Sequence, residues 1–129
     1  MRFLTITALW LATTPALSAN YVGGDQLQEA CANQSGFIAG YVGGWLDKHD
    51  ADKFVMGATM ANHMDDKRLR GAEKKIRANV CMRPGVTVIQ VTETFCNYIK
   101  QDPAARRQAP SDALATALSK AWPCPDSKN

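Results

Sequence analysis

The sequence predicts an all-α fold: a small, disulfide-stapled bundle of four to five helices behind a cleaved signal peptide. Three observations predict it. Apolar residues recur at helical spacing from Leu27 onward. Two later segments open on helix-start signals, at Thr87 and Pro110. Four cysteines, all beyond the leader, suit a short exported chain whose core is too small to hold it alone.

Residues 1–19 read as the leader. Met1-Arg2 supplies a positive start, Phe3 to Ala12 is largely apolar, and Ala16-Leu17-Ser18-Ala19 offers a small-residue cleavage site. The apolar run falls short of the ~20 residues a spanning helix needs. No lipobox cysteine follows it. The expectation is export to the periplasm with no membrane insertion after cleavage, leaving 20–129 as one helical domain.

Asp25, with Gln28 three residues on, reads as the cap of a first helix. Leu27, Cys31, Ile38, Tyr41, Val42 and Trp45 keep its period, and Asp47-Lys48-His49 reads as its end. Within it Gly36, Gly40 and Gly44 form one row, flanked by the aromatic row Phe37, Tyr41 and Trp45. Each interior glycine costs a helix about 1 kcal/mol, so packing must compensate. Two readings follow: a buried helix crossed tightly by a neighbour, or a groove that meets a second subunit or a partner.

Residues 50–79 read as a loop-rich insertion. Phe54, Met56, Ala58 and Met60 suggest a short helix broken by Gly57, Asp65 to Gly71 is polar and charged, and Glu73 to Arg77 reads as another helical turn or two. Cys81 to Gly85 is a tight connection into a helix capped at Thr87, with Val88, Val91, Thr92, Phe95, Tyr98 and Ile99 inward. Asp102-Pro103 ends that helix. The last helix runs from Pro110, with Leu114, Ala117, Leu118 and Ala121 inward, to the stop at Trp122-Pro123-Cys124-Pro125.

Four cysteines allow three pairings. A Cys81–Cys124 bridge would tie the ends of the C-terminal helical hairpin, and would contribute about 4 kcal/mol in the chain-entropy model. Cys31 and Cys96 could join the first helix to that hairpin or remain buried thiols. No C-x-x-C or paired-His spacing favours a metal.

Fifteen basic and twelve acidic residues give a net charge of +3, of which Arg2 lies in the leader. That balance does not point to nucleic acid or an anionic membrane. His49 and His63, with Asp47, Asp50, Asp52, Asp65 and Asp66 nearby, are the one set an acid–base or metal site could use, but the spacing is that of solvated polar residues. No hydrolase, zinc-protease or phosphate-loop motif is present. The pattern reads as a binding protein without cofactor, not an enzyme.

The C-terminal half resembles the Tai-type immunity proteins of type VI secretion. The resemblance rests on Cys81-x-x-x-Gly85-Val86-Thr87, Gln90, Tyr98-Ile99, Pro103 and Ala121-Trp122-Pro123-Cys124, joined by Gly40-Tyr41-Val42-x-Gly44 nearer the start. It implies a periplasmic protein that binds a peptidoglycan amidase effector and blocks its Cys–His cleft, in a family whose members often dimerise and some of which insert a protruding loop. Cys96 stands where that family has an aliphatic residue, which favours a Cys31–Cys96 bridge. The insertion is the expected contact region, through His63, Asp65, Asp66, Lys67, Arg68 and Arg70. The competing readings are a small acid-stress chaperone of the periplasm and a small hydrolase using His49 or His63.

Overall fold

The computed structural model describes residues 22–63 and 66–125. The expected leader lies outside them, as does Asp65. Five α-helices form among the described residues: α1 (Gly24–Ala32), α2 (Gly36–Asn62), α3 (Lys67–Arg77), α4 (Val88–Gln101) and α5 (Pro110–Ala121), with a 3-10 turn at Ala105–Arg107 between the last two. The expected all-α class holds, and both bridges form, Cys31–Cys96 and Cys81–Cys124.

The expected first helix is in fact two. Gln34 takes a left-handed conformation, φ 48°. The Ser35 N–H then donates to the Ala30 carbonyl at 3.1 Å and the Gln34 N–H to Cys31 at 3.4 Å. This is a Schellman stop, closed by glutamine where glycine or asparagine is usual. The cap of α1 also differs from the Asp25–Gln28 pair: the Gly23 N–H donates to Gln26 Oε1 at 3.0 Å.

A second correction concerns 50–79, which is helical rather than loop-rich. α2 continues past His49 for another three turns, and α3 follows. Ion pairs at helical spacing, Lys48 with Asp52 and Lys53 with Asp50, span the polar stretch that reads as an end.

α4 starts as its cap dictates. The Thr87 N–H donates to Gln90 Oε1 at 2.9 Å, and the Gln90 N–H returns to Thr87 Oγ1 at 3.3 Å. α4 and α5 form an antiparallel pair, with α1 and the first half of α2 against α4. Leu27, Ile38, Val42, Val91, Phe95, Ile99, Leu114 and Leu118 are fully buried where these elements meet. Each such side chain contributes about 1.5–3 kcal/mol of transfer free energy. Val88 and Ala121, expected inward, lie at the surface. An isolated antiparallel bridge between Val80 and Pro123, beside Cys81–Cys124, ties the chain's last described turn to the start of the α4 connection.

Candidate functional site

The second half of α2 and all of α3 make a helical arm. α3 packs chiefly on α2 and contains no buried residue. Its apolar side chains are few, Leu69, Ala72 and Ile76, and their i, i+3, i+7 spacing places them on one stripe. All three are half-buried, so this stripe is the face laid against α2. The same spacing in the sequence was the available signal for α3, outweighed by the charge around it.

The corner between the helices is built by Asp66. Its N–H donates to the His63 carbonyl at 3.2 Å. Its carboxylate accepts from the Arg68 N–H at 2.8 Å and the Leu69 N–H at 3.4 Å, capping α3. Of the expected contact residues, His63, Asp66, Lys67, Arg68 and Arg70 are all exposed at or beside this corner. The fold therefore gathers them, on a helical tip and first turn rather than on a loop.

At the root of the arm stands His49, which is buried rather than solvated, at 5 % exposure. Its ring stacks on Trp45 with centroids 4.7 Å apart and planes 16° from parallel. Nε2 has no hydrogen-bond partner. Burial, and then the positive charge of Lys53, push its pKa below the usual histidine value; Asp50, Asp52 and a hydrogen bond with the Ile76 backbone oppose them. A neutral imidazole here is packing between α2 and α3. The Trp45–His49 spacing of one helical turn was its sequence signal. His49 and His63 are fourteen residues apart along α2, about 21 Å, so they cannot share one metal or substrate atom. Among the described residues no three His, Cys, Asp or Glu side chains gather as metal ligands.

The glycine row has a different place from the tight crossing that one reading expects. A Cβ added at Gly36, Gly40 or Gly44 would meet nothing within 4 Å. Phe37, beside the row, is 52 % exposed, whereas Tyr41 and Trp45 pack half-buried against the core. The aromatic row thus turns inward along its length while the glycines face out. Burial, with the negative charge of Asp112 second, raises the Tyr41 pKa. The close backbone approach occurs elsewhere: a Cβ on Gly24 would lie 2.0 Å from the Arg106 carbonyl oxygen, so glycine lets α1 seat on the 3-10 turn.

Among the described residues no helix is long and apolar enough to cross a membrane. No curated protein and no solved structure matches the chain. A family model does, over residues 23–124, which reach from the Gly23 cap to the Cys124 bridge and take in the whole arm. On that match the chain belongs to the Rap1a immunity proteins.

Proposed function

We propose that this immunity protein acts in the periplasm, where it binds a type VI secreted peptidoglycan amidase and covers its active-site cleft with the tip of the α2–α3 arm. In this reading residues 1–19 are removed on export, and the protein works by binding, not turnover. Two disulfides suit an oxidising compartment. The observation that carries the reading is the arm itself. It exposes His63, Asp66, Lys67, Arg68 and Arg70 at one end of a helical hairpin and leaves the core to other elements. A polar tip on a rigid support is the form a cleft-blocking surface takes.

The test is inhibition of any amidase encoded beside the gene, read as release of soluble peptidoglycan fragments. Stoichiometric protein should abolish release, and Arg68→Glu should weaken it. Full amidase activity in the presence of excess protein would sink the proposal.

The outward row Gly36, Gly40 and Gly44, with Phe37 at its side, is the surface on which a second copy would sit in a homodimer. Sedimentation of wild type against Gly40→Leu reads this directly: a dimer that falls to monomer supports it, and a wild-type monomer at all concentrations removes it.

A further inference from the structure

Charge on this molecule is segregated. α3, Lys67–Arg77, carries six basic side chains and one acidic, a net of +5, while the whole chain nets only +3. Everything outside this one helix is therefore net negative. At 100° per residue, Lys67, Arg68, Lys74 and Lys75 fall on one stripe about 120° wide, opposite the Leu69–Ala72–Ile76 face that meets α2. All four are exposed. None takes part in the ion pairs among the described residues, which join Lys48 to Asp52, Lys53 to Asp50 and Arg77 to Glu73.

Only half of this arrangement serves the helix: Lys74 and Lys75 stand in its last turn, where the macrodipole favours cations. Lys67 and Arg68 stand in its first turn, where the macrodipole disfavours cations. Gly71, at its centre, is exposed with open space around it and lowers helix propensity by about 1 kcal/mol. The absent side chain leaves a gap between two cationic pairs into which a partner's carboxylate can reach.

We propose, building on the immunity reading, that this stripe is an electrostatic capture surface for an acidic face of the toxin. It shares Lys67 and Arg68 with the corner that covers the cleft and extends that corner along α3 to Lys74 and Lys75. The stripe spans about 12 Å from Lys67 to Lys75. Single exposed ion pairs add little affinity, so its effect falls on association rate and partner choice rather than on residence time. An extended polyanion, whether nucleic acid or an anionic membrane, would also meet the net negative remainder of the molecule, so a compact acidic patch on a protein fits better.

The experiment compares wild type with the double variant Lys74→Gln, Lys75→Gln, which lies outside the corner, and with the body variant Arg83→Gln, against any amidase encoded beside the gene. Glutamine keeps helix propensity and gives up only the charge–dipole contribution of two last-turn lysines, so the double variant should melt within a few degrees of wild type. In about 20 mM salt its association rate should fall about threefold or more. The gap should close near 0.5 M salt, with dissociation little changed and Arg83→Gln indistinguishable from wild type. An unchanged association rate with tight binding would overturn the capture surface and leave the immunity reading standing. Wild type that binds no amidase would overturn both. Tighter wild-type binding to phosphatidylglycerol vesicles than to the amidase would reassign the stripe to membrane and overturn the proposal.

Discussion

The molecule has two regions built to opposite rules. The body, formed by α1, the first half of α2, α4 and α5, holds both disulfides and the fully buried side chains. The arm has α3 without a buried residue, an unbridged corner and the densest positive charge in the chain. Phe54 and Val55 on the arm's α2 segment are 78 % and 62 % exposed. Stability is concentrated in the body, and the exposed arm contributes least to the core. The arm can therefore vary in sequence at small cost to folding.

The largest test of that division is reduction. The two bridges close loops with separations of 65 and 43 residues. Each contributes about 4 kcal/mol in the chain-entropy model. Dithiothreitol should lower the melting temperature by about 20 °C or more. A transition indifferent to reductant would mean that the body does not depend on its staples.

Next comes a paired substitution across the two regions. Phe95, 0 % exposed in α4, should cost about 3–5 kcal/mol when replaced by alanine. Ile76→Ala, on the half-buried inner face of α3, should cost about 1 kcal/mol and speed amide exchange in α3 before the body. Equal losses in a urea titration would merge arm and body into one cooperative unit.

A smaller effect lies at the joint. The His49 pKa is lowered by burial first and Lys53 second. A folded-state value below the unfolded one means that unfolded chains bind the proton more readily. The stability is therefore present above the ordinary histidine value near 6.5 and is lost as pH falls through the lower folded value. His49→Phe keeps a ring on Trp45 and removes that titration. Its urea midpoint should drop less than that of wild type between pH 7.5 and pH 5. Parallel drops would show that other groups govern acid sensitivity.

The smallest expected change is a gain. Gly40 lies in open space on α2, so Gly40→Ala should stabilise by about 0.5–1 kcal/mol, read as a rise of a few degrees in melting temperature. A loss instead would show the row covered in solution, as a second copy would cover it.

Much of the body is legible in the sequence, because local chemistry decides it. The Thr87–Gln90 cap and Pro110 start helices where such residues do, and Cys81–Cys124 ties the ends of the C-terminal hairpin as its placement suggests; Cys31–Cys96, which spacing alone leaves open, also forms. The break at Gln34 is hidden, since glutamine is not the usual left-handed residue and the apolar period runs on across it. The arm is hidden for the opposite reason. Asp47 to Asp50 has the polarity of a terminus, and what keeps α2 going, ion pairs one turn apart and α3 laid alongside, is not apolar periodicity. Of the candidate contact residues, the position around 63–70 was readable from charge. That Lys74 and Lys75 extend the basic face was not, because it needs the helix to be known first.

Where the arm rejoins the body, Ala78 and Asn79 are consecutive left-handed residues, with φ of 48° and 56°. Neither is a glycine, so the kink is narrow in angle rather than loose. It works as a fixed elbow that sets the direction in which α3 leaves the scaffold. Any helix put in place of α3, between Trp45–His49 and this elbow, would leave the body in the same direction.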